Sequence, residues 1–180
     1  VCAETIAISN IILLTKEIGV RVHLCRVSSA EGLAMIRVAK QQGLPITCDV
    51  TINHLHLSDM DIGFFDSNCH LMPPLRSSGD RDALRQGLMD GTVDAICSDH
   101  APVDEDAKLL PFAQSEIGAT GVELLLPLTL KWAAEMRLSL SKAVAKMTSD
   151  PARILGIDAG HISIGSAADI CIFDPDHYWK

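Results

Sequence analysis

Val20-Arg21-Val22-His23-Leu24-Cys25-Arg26-Val27-Ser28-Ser29 is the stretch on which the fold class turns. Val20 to Val27 is an apolar, β-branched run of the kind that forms a strand. It stops at two serines, a residue type that caps helices by accepting from first-turn amides. Leu33, Ile36 and Val38 follow as the apolar positions of a helix, and Gly43 supplies its stop. Upstream, residues 4–18 read as a helix, because Ile6, Leu13, Leu14 and Ile18 fall at helical spacing ahead of Gly19. Downstream of Pro45, Ile46 to Val50 is a short strand of buried type.

The same alternation continues. Residues 51–79 carry little regular pattern and contain Pro73-Pro74, so they read mostly as loop. Asp80 is expected to cap a helix running to about Asp90, with Gly91 ending it, and Val93 to Cys97 is a third strand. Residues 98–120 form a loop of a length that is usually functional. Helices are expected at about 121–136, 141–147 and 150–155, the last opened by Asp150 as cap and Pro151 as first helical residue. Two β runs, 161–164 and 168–173, end the chain. Strands alternating with helices predict an α/β fold on a parallel sheet with right-handed crossovers. Three strands cannot close a barrel, so they form a small open sheet or part of a (β/α)₈ barrel. In either case the chemistry belongs at the carboxyl ends of the strands. Those ends are Arg26-Val27-Ser28-Ser29, Thr51-Ile52-Asn53-His54 and Ser98-Asp99-His100.

Composition narrows the function. The chain has 180 residues, 48% hydrophobic and 21% charged, which excludes disordered, collagenous and coiled-coil classes. A net charge of −8 without a Lys/Arg cluster argues against nucleic-acid and anionic-membrane partners, and 4% aromatics argue against base-stacking platforms. The apolar stretch from Ile6 to Leu14 is too short to span a bilayer, and Glu4 precedes it where a signal peptide has basic residues. The expected location is the cytoplasm. The six cysteines are widely spaced with no C-x-x-C pair, and four of them, Cys25, Cys48, Cys97 and Cys171, sit in strand-like runs. They read as buried, reduced thiols.

Ile96-Cys97-Ser98-Asp99-His100-Ala101-Pro102 is the most informative chemical segment. A strand delivers a carboxylate and an imidazole to a sheet edge, where Asp99 can bind a cation and take a proton from a metal-bound water. The plainer reading is a side-chain cap of a turn. His54 and His56 form an H-x-H pair that is a weak metal signal in a loop or short helix. His23 reads as a hydrogen-bonded strand histidine, and His161 and His177 lie away from the strand ends. Helix capping accounts for Ser28 and Ser29, since no G-x-S-x-G elbow is present. Asp104-Glu105-Asp106 with Lys108 reads as a solvated loop.

Ser98-Asp99-His100-Ala101-Pro102, followed by Lys108, Gly118-Ala119-Thr120-Gly121 and Glu123, resembles dihydroorotase, in the amidohydrolase superfamily and the branch found with bacterial aspartate transcarbamoylase. His23-Leu24-Cys25-Arg26-Val27-Ser28-Ser29 resembles that family's H-x-C-H-V-S-T. Asp49-Val50-Thr51-Ile52-Asn53-His54-Leu55 resembles its E-V-T-P-H-H-L, and Pro73-Pro74-Leu75-Arg76 its P-P-L-R. Pro151-Ala152-Arg153-Ile154-Leu155-Gly156 and Gly165-Ser166-Ala167-Ala168-Asp169 resemble its tail motifs. The resemblance implies a partial (β/α)₈ barrel of strands six to eight over residues 1–157, with residues 158–180 starting an appended β-sandwich segment. It implies interconversion of N-carbamoyl-aspartate and dihydroorotate in pyrimidine synthesis, with zinc polarising the scissile carbonyl and activating water. Asp99 inherits the family's catalytic and metal-binding aspartate role, and His54 and His100 lie near that site.

Three departures stand against catalysis. Arg26 occupies the family's metal-binding histidine position, and a guanidinium cannot ligate zinc. Met72 replaces the substrate-binding asparagine, and Val103 replaces the histidine that helps hold the substrate carboxylate. The resemblance therefore implies either a zinc dihydroorotase, of which this chain is a fragment not catalytic by itself, or an inactive dihydroorotase-like partner of aspartate transcarbamoylase. Allantoinase or hydantoinase, and a self-contained open-sheet domain, are the further alternatives. Open sheet edges predict self-association.

Overall fold

A computed structural model describes residues 1–176. It contains a three-stranded parallel sheet in the order β1-β2-β3, with β1 at Val22–Leu24, β2 at Ile46–Thr51 and β3 at Ala95–Cys97. Val22 pairs with Ile46, and Asp49 pairs with Ala95, so the strands run in register with their carboxyl ends together. Helices α1 (Cys2–Ile18), α2 (Ala30–Gln41) and α3 (Ser78–Asp90) alternate with the strands. A short α4 (Glu105–Lys108) precedes α5 (Leu125–Glu135), α6 (Leu140–Ala145) and α7 (Ser149–Leu155). The α/β expectation and the parallel sheet hold.

The sheet has two unlike faces. Successive strand side chains point to opposite sides. Leu24, Cys48, Val50 and Ile96 pack on the helix side with Leu33 and Ile36 of α2 and Leu84 and Leu88 of α3, all buried. Trp132 of α5 and Ala143 of α6 extend that core. The other face carries His23, Thr47, Asp49, Thr51 and Cys97. A parallel sheet covered on both sides usually presents apolar residues to both.

Several boundaries differ from expectation. The first strand is three residues rather than eight; Arg26 turns into the left-handed region at φ 58° and its amide goes to the Asp49 side chain, which interrupts the regular pairing. Asp80 is not the cap of α3. Ser77 is, accepting from the Asp80 amide at 3.2 Å while Asp80 Oδ2 accepts from the Ser77 amide, a reciprocal capping box. Asp80 Oδ1 instead accepts from the Ala30 amide at 2.8 Å and ties α3 to the start of α2. Asp150 likewise lies inside α7, whose cap position is Thr148, and pairs with Lys146 and Arg153. Residues 51–79 hold three single 3₁₀ turns, at Asn53–Leu55, Asp59–Ile62 and Ser67–Cys69, within otherwise irregular chain.

The β runs at 161–164 and 168–173 are not strands. Among the described residues nothing pairs with them, and an extended segment without a partner leaves its amides and carbonyls to water. Ile162, Ile164, Ile170 and Ile172 are accordingly exposed. Two of the four strand-like cysteines also differ from expectation. Cys48 is buried and Cys97 partly so, but Cys25 and Cys171 are exposed, the first just past the end of β1 and the second in the unpaired tail. His177 lies outside the described residues. No helix of the described residues is long and apolar enough to cross a membrane.

Candidate functional site

The carboxyl end of β1 is anchored before it carries chemistry. Glu4 of α1 accepts from the Ser28 amide at 3.1 Å, the Ser29 amide at 2.9 Å and the Ser29 hydroxyl at 2.8 Å, and from the Ser28 hydroxyl. Of the two serines that could cap α2, Ser29 does so, accepting from the Gly32 amide. Arg76 Nε donates to Ser28 Oγ at 3.0 Å, which brings the Pro73-Pro74-Leu75-Arg76 loop onto the same turn. Neither serine is free to act as a nucleophile.

Arg26 and Asp99 meet at this strand end. Arg26 Nη1 donates to Asp99 Oδ1 at 3.1 Å and to the Met72 carbonyl at 3.1 Å. Both residues adopt left-handed backbone, φ 58° for Arg26 and 48° for Asp99. For residues other than glycine that conformation is uncommon and concentrates at functional positions. Met72 therefore joins the site through its main chain, while its side chain is exposed. Asp99 is the acceptor of an ion pair here, not a turn cap.

The remaining candidates face elsewhere. His54 is buried, with Nδ1 2.7 Å from the Thr51 hydroxyl and Nε2 3.2 Å from the Pro74 carbonyl. A carbonyl only accepts, so Nε2 carries the proton and the hydroxyl donates to Nδ1. Burial lowers its pKa below the usual histidine value, which keeps the ring neutral. His56 is separated from it, with Nε2 2.9 Å from the Leu128 carbonyl, so the H-x-H pair holds no common ligand. His100 is exposed, and its Nδ1 accepts from the amides of Gly121 and Val122 at 3.1 and 3.3 Å. It pins the long loop to the strand end. Val103 packs beside Gly118 in the same loop. Asp104, Glu105 and Asp106 are exposed, as a solvated segment should be.

One cluster escaped the motif reading. On the polar sheet face, His23 Nε2 lies 2.9 Å from Asp49 Oδ2, and His23 Nδ1 lies 2.8 Å from Thr47 Oγ1. Asp49 Oδ1 accepts from the Arg26 amide at 2.7 Å and from Cys97 Sγ at 3.4 Å. Ligand atoms of His23, Cys25 and Asp49 all lie within 4.8 Å of one another. Burial, with the nearby Asp49 charge, raises the Cys25 and Cys97 thiols, so both stay protonated at neutral pH. The signal available in sequence was period-two spacing: His23 in β1 and Cys25 just past its end stand two apart, and parallel register brings β2, with Asp49, beside them. At the opposite end of the strands a cleft of about 520 Å³ is lined by Arg21, Asp94, Lys146 and Asp150. Its charges are internally matched, with Lys146 3.4 Å from Asp150 and Arg21 donating to the Ile154 carbonyl.

Comparisons with known proteins converge on one family. The amidohydrolase family model matches residues 5–179. A dihydroorotase-like protein of Pseudomonas aeruginosa is 42% identical over 173 residues, covering 96% of this chain and 41% of its own length. A dihydroorotase of Geobacter sp. is 38% identical over 178 residues, covering 99% of this chain and 42% of its own. The chain thus spans less than half the length of these relatives. Among solved structures, an L-hydantoinase from Arthrobacter aurescens superposes with a TM-score of 0.84 at 29% identity, over 91% of this chain and 38% of that one. The inactive dihydroorotase-like domain of a Chaetomium thermophilum CAD-like multifunctional protein superposes with a TM-score of 0.62 at 25% identity, over 83% of this chain and 41% of that one.

Proposed function

This chain belongs to the amidohydrolase family, and from that premise we propose that it is part of a dihydroorotase-like protein whose role is structural rather than hydrolytic. The observation that carries this reading is the Arg26–Asp99 ion pair. Zinc, which the family implies, does not fit this strand end. Arg26 has no lone pair to give, and Asp99 is a single donor with Oδ1 already accepting from a permanent cation. The guanidinium stands where the family holds a metal-binding histidine, and it neutralises the aspartate without providing a Lewis acid or an activated water. Met72 and Val103 remove two polar contacts that a cyclic amide's carboxylate would need, each on the order of 1.5–3 kcal/mol for a hydrogen bond to a charged group.

On this reading residues 1–157 supply three strands of a (β/α)₈ barrel and their helices, with β1, β2 and β3 as the sixth to eighth strands. The polar face of the sheet is then lumen, which accounts for polar groups on a parallel sheet. Residues 158–180 belong to an appended sandwich segment. The partner proposed is aspartate transcarbamoylase, supported by the dihydroorotase-like name of the Pseudomonas relative and by the multifunctional protein that contains the Chaetomium domain. Self-association is proposed from the exposed Ile6, Leu13, Leu14 and Ile18 of α1 and is checked by light scattering, where a stable monomer refutes it.

A second reading keeps the enzyme. The dihydroorotase of Geobacter sp. at 38% identity favours it, with Asp99 as proton shuttle of a zinc dihydroorotase whose other ligands this chain does not hold. The deciding experiment expresses the whole coding region with zinc, assays dihydroorotate hydrolysis beside hydantoin and allantoin, and measures association with aspartate transcarbamoylase. No turnover with intact association supports the structural role. Dihydroorotate turnover that disappears in Asp99→Ala refutes it, and turnover confined to hydantoin or allantoin assigns the chain to another amidohydrolase.

A further inference from the structure

We propose that His23, Cys25 and Asp49, with Cys97 beside them, form a binding site for a soft or borderline divalent cation such as zinc, one layer below the Arg26–Asp99 pair on the polar face of the sheet. His23 Nε2, Cys25 Sγ and an Asp49 carboxylate oxygen lie within 4.8 Å of one another. Tetrahedral zinc takes nitrogen, oxygen and sulfur at about 2.0–2.3 Å, which places neighbouring ligand atoms about 3.3–3.6 Å apart. The present His23–Asp49 separation is 2.9 Å, so a cation between them opens the pair by about 0.4 Å. Cys97 Sγ stays a thiol and donates to Asp49 Oδ1 at 3.4 Å, which holds the carboxylate from its other oxygen and leaves the fourth position to water.

The surroundings suit a metal. Ligating histidines are characteristically oriented by a hydrogen bond at their other ring nitrogen, and Thr47 Oγ1 occupies that place for His23 at 2.8 Å. The Arg26 amide holds Asp49 in the same way at 2.7 Å. On binding, the Nε2–H···Oδ2 hydrogen bond gives way to two bonds to the cation. The imidazole proton moves to Nδ1, where Thr47 accepts it, and Cys25 releases its thiol proton to solvent. A carboxylate and one thiolate then cancel the divalent charge. Cys25 is exposed, which gives an entry path. Cation uptake at this place does not depend on whether the protein acts on a cyclic amide.

The test titrates the reduced, chelator-treated chain with Co²⁺ and then Zn²⁺ under anaerobic conditions, reading visible ligand-field bands and near-ultraviolet thiolate-to-cobalt absorption. One equivalent is expected to bind with tetrahedral intensity and to be displaced by Zn²⁺. Cys25→Ser, at an exposed position with little bearing on folding, is expected to lose the thiolate band and to bind at least about tenfold more weakly. Thr47→Val removes only the orienting contact and is expected to weaken affinity about 10–100-fold. A combined Cys2→Ser, Cys69→Ser, Cys171→Ser variant is expected to bind unchanged, with circular dichroism confirming the fold throughout. No stoichiometric uptake by the unmodified chain, uptake undiminished in Cys25→Ser, or uptake lost in the triple variant overturns the site.

Discussion

Replacing Glu4 is expected to unlock the turn that holds the strand-end site. The Glu4 side chain is 15% exposed and receives two amides and two hydroxyls from Ser28 and Ser29, both fully buried. Arg76 adds a more distant charge at 3.6 Å. In Glu4→Ala the hydroxyls can turn to other acceptors, but the two amides cannot. Each buried donor left unsatisfied costs about 1–3 kcal/mol, and water entering the vacated space recovers part of it, so a loss of about 3 kcal/mol is expected. For a chain of this size that corresponds to a fall of roughly 6–12 °C in Tm. Glu4→Gln keeps an acceptor but not its charge, and charge-assisted hydrogen bonds are about twice as strong as neutral ones, so its loss is about half as large.

The pH dependence separates this group from others. Burial acts to raise the Glu4 pKa, but the hydrogen bonds from Ser28 and Ser29 outweigh it and hold the carboxyl below its ordinary value of 4.5. A carboxyl depressed in the folded state contributes stability that is complete above its unfolded pKa and is lost as pH falls through the folded one. Urea unfolding of the parent protein should therefore show a declining limb below about pH 4.5 that is shallower in Glu4→Gln. Coincident acid limbs, or a Glu4→Ala variant as stable as the parent at pH 7, would refute the anchoring role.

Three further outcomes are expected. His54 is kept neutral by burial, so its contribution is present above the ordinary histidine value of 6.5 and declines as pH falls below it; the His54 ring resonance followed by NMR should titrate below that value, and a normal titration refutes the buried geometry. A Cβ at Gly121 would stand 2.1 Å from the Ser98 carbonyl oxygen, a backbone atom that cannot swing away. Gly121→Ala should lower Tm more than Gly87→Ala, whose nearest obstacle is the movable end of Leu33 at 2.6 Å. Trp132 is fully buried, yet its Nε1–H has no partner among the described residues. Trp132→Phe, which deletes that donor, should cost clearly less in chemical denaturation than Trp132→Ala, for which about 3–5 kcal/mol is expected.

The fold was legible where local chemistry and packing agree. Ser29 as cap, Gly19, Gly43 and Gly91 as stops, and the parallel order of three strands follow from residue types at fixed offsets. The errors have one kind of cause. Asp80 and Asp150 look like caps because each stands ahead of the apolar part of its helix, but both lie in the first helical turn, and Ser77 is the side chain that reaches the first amides of α3. The terminal isoleucine runs have strand propensity, which expresses itself only when a partner strand takes up the backbone groups. The His23–Asp49 pair was not read because register is a relation between strands, and the two residues stand in separate motifs.

Three residues of the strand-end site are also related in a way that their positions in sequence do not reveal. Arg26, Met72 and Asp99 are 46 and 73 residues apart along the chain, yet one guanidinium nitrogen joins all three. Without Arg26, Asp99, whose side chain is only 14% exposed, would be a carboxylate without a cation at a crowded strand end. Arg26 supplies that charge from the polypeptide and reaches the Met72 carbonyl with the same nitrogen, so the P-P-L-R loop stays attached to the strand end. A partly exposed ion pair contributes little to overall stability. Its consequence is positional: it keeps two left-handed strand ends and one long loop in a fixed arrangement without a metal. On the structural reading of the function, that arrangement is what a partner subunit would recognise. Arg26→Ala should then weaken association with aspartate transcarbamoylase while leaving the Tm within a few degrees of the parent, and Arg26→Lys, which keeps the charge but loses the fork, should restore association only in part.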